Sequence, residues 1–436
     1  MVKTSNTEFG KNERCVIEFC KLYTYVTFHF TAFDTVVVNS TREMFQRGPN
    51  SRISKVLHSS KGGVAVRKAV LIVLLLVSSV FVFSAIRIGV FEPLTGAFAA
   101  GGQLTLKGIR LANEMFPTAL NQKIDLVVVD NKTDKVEAAN AVTRLIQVYN
   151  VSAIIGSYGS SLAIPGSEVA NKMKVPMMGC SPTNPLVTQG KEYVFRVCFI
   201  DPFQGTVMAK FAVENLKAKT AYIVQDISSD YSVGLAHYFR NAFISLTGDS
   251  KSVLGVASYQ GGDQDFTAQL TLAKSKNPDV LFIPAGSYGD AALIMKQARE
   301  MGVKATFLGG DTWEVPEIID VAGDAAEGAY FSTHFDEKAM TTEMTKKFID
   351  AYKKKYNEDP SAFAALGFDA YLVIVDAINR AKSWKPADIK EALAATKNFQ
   401  GATGNITFDE NGDAIKDAIV KKIEKGSFKF ISIVKP

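Results

Sequence analysis

The chain has 436 residues, with 49 Lys and Arg against 44 Asp and Glu and four His, a net charge of +5 at pH 7. Eleven of those basic residues and five of the acidic ones fall within the first 68, so the remainder carries 38 against 39 and is close to neutral. A basic surplus confined to one end excludes the spread positive face that nucleic-acid binding needs, and no nucleic-acid partner is expected.

Residues 1–65 have no sustained periodicity, and runs such as Val36-Val37-Val38 find no partner run. The fifteen-residue apolar run from Ala69 to Phe83 follows Arg67-Lys68 and ends in Ser84-Ala85, the layout of a secretory signal peptide displaced from the chain's start. Lys61-Gly62-Gly63 can be encoded as a purine-rich ribosome-binding sequence and Val66 as a GUG start. The expectation is a mis-assigned upstream extension over 1–65, a signal peptide over 66–85 and an exported protein from Ile86 onward. An uncleaved anchor is the alternative, although the run is shorter than the roughly 20 residues a spanning helix prefers.

The 351 residues after Ala85 exceed one compact core and suit two domains. Cys180 and Cys198 are the cysteines left there, open to a disulfide or to two buried thiols. Strands are expected at 86–91, 124–129, 153–155 and 176–178, with helices at 104–115, 135–149 and 163–172 between them. A second series begins after Asp201-Pro202, with strands at 221–225, 252–258, 280–284, 306–309 and 329–333. Its helices are expected at 203–216, 233–246, 266–275, 290–301 and 316–322. Helices at 341–356, 362–382 and 386–394 follow, and a hairpin of 418–425 and 428–434 turns at Gly426-Ser427. Short apolar runs alternating with amphipathic helices indicate buried parallel strands. The fold class is therefore α/β, two Rossmann-like lobes, with ligand chemistry in loops beyond the strands' carboxyl ends.

Those loops carry the segments IGVFEPLTG at 88–96, IGSYGSS at 155–161, SPTNPLVTQ at 181–189 and FRVCFIDPFQG at 195–205. QAREMG at 297–302, VAGDAAEG at 321–328 and ITFDENG at 406–412 continue the series. In order and spacing, residues 86–436 resemble the periplasmic branched-chain amino-acid-binding proteins of ABC importers, the type I substrate-binding proteins. The resemblance implies two lobes joined by three crossing segments, near 199–201, 333–335 and 406–409. Lobe one would comprise 86–200 and 335–406, and lobe two 201–334 and 407–436. It also implies a periplasmic monomer that needs no cofactor and delivers an amino acid to a membrane permease. A periplasmic ligand sensor, or an importer component for an amide or another small polar ligand, are the other readings.

An amino-acid zwitterion needs donors for its carboxylate and an acceptor for its ammonium. By family position Ser160 contacts the carboxylate, with Ser161 beside it; both precede a helix, and an N-cap role is the plainer reading. Thr183 matches a second carboxylate contact, with Ser181 supplying backbone, though Pro182 donates no N–H. Asp311 matches the acid that meets the ammonium, and Gly309-Gly310 before it would let a ligand approach. Tyr231 and Tyr288 match family tyrosines of lobe two. Many members have a bulky aromatic in the first loop where this chain has Gly101; Phe98 and Trp313 are candidates to fill that space, and a bigger or differently shaped pocket is expected. The relatives' disulfide positions hold Thr133 and Gly159. Asp201 reads as a helix cap, and Glu92 as either a pocket-edge or a solvated charge.

An enzyme is the competing class. His237 and His334 are the histidines of the exported part, and neither has a metal-ligand companion at useful spacing. No Gly-x-Ser-x-Gly elbow, Cys-His motif, Walker loop or dinucleotide fingerprint is present.

Overall fold

A computed structural model of the protein describes residues 85–339 and 342–436. The basic leader, the apolar run, Cys15 and Cys20 lie outside the described residues. Lobe one begins with β1 (Ile86–Glu92), α1 (Ala99–Met115), β2 (Thr118–Ala119), β3 (Gln122–Asp130) and α2 (Lys135–Gln147). It continues through β4 (Ala153–Ile155), α3 (Ser160–Lys172), β5 (Met177–Gly179) and β6 (Val194–Arg196). The six-stranded sheet runs β2-β3-β1-β4-β5-β6 and is parallel except for β2, which folds back on β3. Helices cover both faces, so β1 is buried at six of seven positions and its sequence is a continuous apolar run. Ile88 and Val90 face one core with Ile109, and Phe91 faces the other with Val142 and Leu162.

Lobe two starts at α4 (Asp201–Lys210), which widens into a π turn at Phe211–Asn215, and continues with β7 (Ala221–Asp226) and α5 (Asp230–Thr247). Then come β8 (Val253–Tyr259), α6 (Thr267–Lys276), β9 (Val280–Phe282), α7 (Tyr288–Glu300), β10 (Thr306–Gly309), α8 (Glu317–Ala322) and β11 (Tyr330–Thr333). The chain re-enters lobe one, where Phe335 joins the first core and packs on Phe348 of α9 (Glu343–Tyr356). Helices α10 (Ala362–Ala381) and α11 (Pro386–Ala394) and a small ribbon, β12 (Phe399–Gly401) with β13 (Gly404–Ile406), follow there. Phe408 and Ala414 still pack on lobe one, so the third crossing comes after Ala414 and not at 406–409. The hairpin of β14 (Ala418–Glu424) and β15 (Ser427–Val434) then completes a seven-stranded sheet in the order β15-β14-β11-β10-β9-β7-β8.

The hairpin turn is Lys425-Gly426, one residue earlier than expected, with φ of 53° and 62°. Positive φ at both loop positions is the turn whose twist matches antiparallel strands, and glycine takes the second without strain. Short strands β2, β6, β12 and β13 were not expected; two or three residues show no periodicity. Helix α10 is apolar enough by composition to cross a membrane, at mean hydropathy 1.5, but 89 % of that stretch is buried within the fold. Ser361 caps it by accepting from Ala364 N.

Helices α1 and α10 approach backbone to backbone. A Cβ on Gly108 would lie 1.8 Å from the Ala364 carbonyl oxygen, and one on Gly367 would lie 2.3 Å from that of Thr105. Backbone cannot step aside as a side-chain tip can. Gly-to-Ala in a helix interior ordinarily gains about 1 kcal/mol; Gly108→Ala should instead cost about 1–3 kcal/mol through overpacking. Urea unfolding of the two proteins checks the sign, and a more stable Gly108→Ala variant would mean the helices can separate freely.

Candidate functional site

Loops at the carboxyl ends of both sheets face each other across a small cavity. Lobe one contributes Phe98, Tyr158, Ser160, Ser161 and Ser181, and lobe two contributes Ser229, Tyr231, Asp311 and Thr312. The lobes are closed over it, and Asp230 at the start of α5 is the clasp. Its N–H donates to Ser161 Oγ at 2.8 Å, its carbonyl accepts from Asn184 Nδ2 at 2.8 Å, and its carboxylate pairs with Lys135 at 2.8 Å. Ser161 therefore lines the cavity with its hydroxyl engaged between the lobes.

Ser160 is the first residue of α3, with Gly159 in the cap position at φ 83°, so it is not an N-cap serine. Its hydroxyl accepts from Asn184 N at 3.1 Å. Ser181 lines the same wall, and Thr183 lies deeper, its carbonyl accepting from Asp201 N at 2.9 Å. Ser181 Oγ and Thr183 Oγ1 are buried without a hydrogen-bond partner in the protein. With the positive end of α3, this wall is suited to an anion.

Asp311 stands opposite, 2 % exposed. Gln204 Nε2 and Tyr231 OH each donate to its Oδ1 at 2.8 Å, and His334 Nε2 lies 3.2 Å from Oδ2. Three neutral or polarisable neighbours hold the acid in place while leaving it on the cavity wall. His334 was set aside in the sequence for want of a metal-ligand partner; it instead stacks on Phe199 at 3.9 Å and orients the acid. Among the described residues no cluster of three His, Cys, Asp or Glu suits a metal ion.

Several expectations need correction. Gly101 opens no extra room, because the Tyr158 ring occupies its side-chain space; a Cβ there would lie 2.3 Å from Tyr158 Cε2. Trp313 packs inside lobe two over Gly309 and against Phe331 and does not line the cavity. Gly309 and Gly310 thus admit protein, the indole and the Tyr231 hydroxyl, and not a ligand. Tyr288 opens α7, half-buried and off the cavity wall, where the backbone of Gly286 stands instead. Glu92 is neither solvated nor at an edge: it is wholly buried, accepts from Tyr158 N at 2.7 Å, and burial pushes its carboxyl well up. Cys180 and Cys198 are free, buried thiols, both raised by burial.

Of the wall residues that the sequence reading does not reach, Tyr158, Ser229 and Thr312 among them, Tyr158 is the largest. Its ring is pinned edge-on between Phe98 at 6.0 Å and Phe363 at 4.9 Å, and its hydroxyl has no partner in the protein. Position alone, between two glycine-serine turns, gave no signal of that.

Asp201 does not cap α4. It is the helix's first residue, fully buried, and neither carboxyl oxygen receives a well-directed hydrogen bond. Burial pushes the carboxyl up to about 8; the Thr183 hydroxyl and Arg196 guanidinium oppose the rise and the Asp311 carboxylate adds to it. A carboxyl raised in the folded state stabilises the fold fully below its unfolded range and loses that contribution as pH climbs toward the folded value. Between about pH 4 and 8 the wild type should therefore lose up to about 1.4 kcal/mol per pH unit relative to Asp201→Asn. Denaturant unfolding of both proteins across that range measures the difference, and parallel curves would mean an ionised, hydrated Asp201.

Known proteins share this fold. A leucine-binding protein, LivK, from Thermotoga maritima MSB8 superposes with a TM-score of 0.78 at 45 % identity, covering 81 % of this chain and 99 % of that one. The branched-chain amino acid transporter substrate-binding protein LivJ from Streptococcus pneumoniae, in complex with isoleucine, superposes with a TM-score of 0.75 at 34 % identity over 81 % of this chain and all of the other. By sequence, a Leu/Ile/Val-binding protein homologue of Brucella melitensis is 32 % identical over 335 residues, 76 % of this chain and 89 % of its own. The periplasmic binding protein family model matches residues 85–427, essentially both lobes, and the chain belongs to that family.

Proposed function

We propose that the protein captures an amino acid, branched-chain or otherwise aliphatic, between its lobes and delivers it to an ABC permease in the membrane. The observation that carries this reading is the opposition of two chemistries in one closed cavity: hydroxyls and a helix N-terminus on lobe one, a buried carboxylate on lobe two. A zwitterion presents both complements at a fixed spacing. Ser160 and Ser181 take the ligand carboxylate with Thr183 buried behind them, Asp311 takes the ammonium, and Phe98 with Tyr158 forms an apolar wall for the side chain. Tyr231 acts through Asp311, and Ser161 through the clasp. One solved relative is named a leucine-binding protein and the other is in complex with isoleucine, which favours the aliphatic class.

Closure follows from the same contacts. Only the closed form offers a ligand both lobes at once, so ligand shifts the population toward it. The protein works as an exported monomer, with the segment 66–85 directing it across the membrane.

Calorimetric titration of protein unfolded and refolded to strip ligand, with leucine, isoleucine, valine and their amides, tests the reading. Tight binding of the free amino acids, weakened about 100-fold on amidation, is expected. Asp311→Asn should weaken leucine binding by about 10-fold or more, the worth of a charge-assisted hydrogen bond. Unchanged affinity in that variant would remove the ammonium role, and silence toward every amino acid would remove the ligand class.

A further inference from the structure

Arg196 closes β6 and is fully buried. Each arm of its guanidinium is used. Nε donates to Asp413 Oδ1 at 2.5 Å, Nη1 to the carbonyl oxygens of Pro182 and Asn184 at 2.7 and 2.8 Å, and Nη2 to Thr188 Oγ1 at 2.5 Å and to the Pro185 carbonyl at 3.4 Å. Four of these five acceptors belong to one loop, the one that carries Ser181 and Thr183. The same loop sets Asn184 N on Ser160 Oγ. The Ser181 hydroxyl has no protein partner and that of Thr183 faces the Asp201 carboxyl, so the backbone beneath them sets where both groups sit. Arg196 holds that backbone from below.

Asp413 ties the assembly to the third crossing. It accepts from Thr188 Oγ1 at 2.7 Å as well as from Arg196, and its own N–H donates to Asp409 Oδ1 at 2.9 Å. Arg196 N also donates to the Gly412 carbonyl at 3.0 Å. One planar, five-donor cation therefore links the loop to the segment that leads into lobe two. A lysine, a point charge on a flexible stem, cannot serve two carbonyls, a hydroxyl and a carboxylate together.

We propose that Arg196 is a positioning residue for carboxylate recognition: with Asp413 it holds loop 181–188 so that its hydroxyls meet the ligand carboxylate, and it joins that loop to the third crossing. The proposal rests on the amino-acid reading given above.

The test is calorimetric titration of wild type, Arg196→Lys and Asp413→Asn with leucine and with leucinamide, which lacks the carboxylate, alongside thermal unfolding of each. Arg196→Lys should weaken leucine by about 10-fold or more and leucinamide by less than about 2-fold, so that the preference for the free acid collapses. Asp413→Asn should move the ratio in the same direction by less. Equal weakening of both probes would assign Arg196 a purely structural role, and unchanged leucine affinity would overturn the proposal outright. If Arg196→Lys does not fold, Asp413→Asn and Thr188→Val carry the same criterion. Wild type that binds no leucine rejects the functional reading itself, and is distinguishable because it precedes any variant.

Discussion

The closed cleft holds buried hydrogen-bonding groups that the protein does not itself satisfy, Ser181 Oγ and Tyr158 OH among them. Each such group, taken from water without a partner, costs about 1–3 kcal/mol. Against this the clasp supplies two hydrogen bonds and one exposed ion pair, the last worth about 1 kcal/mol or less. A ligand that brings its own polar groups into the cleft satisfies what the protein leaves unpaired, and so favours the closed form. A cleft whose polar groups were all paired internally would close regardless of its contents.

The polar groups of the cleft are wired to the segments that join the lobes. Asp311 is held by His334 of the second crossing, and His334 stacks on Phe199 of the first. The loop bearing Thr183 is held through Arg196 and Asp413 to the third. Glu314, one turn beyond Asp311, pairs with Lys421 at 2.9 Å, bonds Thr333, and accepts from Ala362 N of lobe one at 3.2 Å. Burying such charges is tolerable because each is met by several partners; burial pushes a carboxyl without them toward its neutral form, the direction of the shift at Asp201. Site and crossings are therefore one polar network, which makes the geometry of the binding residues depend on the angle between the lobes.

How much of this was legible in the sequence follows from how local each signal is. Strands β4 and β10 and helix α11 match the expected bounds because apolar runs and a proline at the helix start are local facts. The wall residues Ser160, Ser181, Tyr231 and Asp311 were legible through motif position, and the structure brings them around one cavity. Asp201 was misread because an acid before a proline and an amphipathic run is ordinary capping chemistry; its burial depends on α5 packing across from it, where a Cβ on Gly234 would sit 3.3 Å from Asp201 Oδ2. Arg196 was invisible for the same reason. A basic residue at the end of a three-residue strand reads as surface until five acceptors, four from the loop before it and one from Asp413, converge on it.

Gly101 and Tyr158 make the general case in miniature. A missing aromatic in the first loop reads as empty space, yet the space is filled by an aromatic contributed 57 positions later in the chain, between Tyr158's neighbours Phe98 and Phe363. Volume at a buried wall is conserved by packing, since a void forfeits contact energy on every side. What changes with the donor segment is chemistry: a ring anchored through Tyr158 N to buried Glu92 lines the cleft and carries a buried, unpartnered hydroxyl. The identity of the wall, and with it the selectivity among side chains of one size, is then set by a loop whose own sequence looks like a turn.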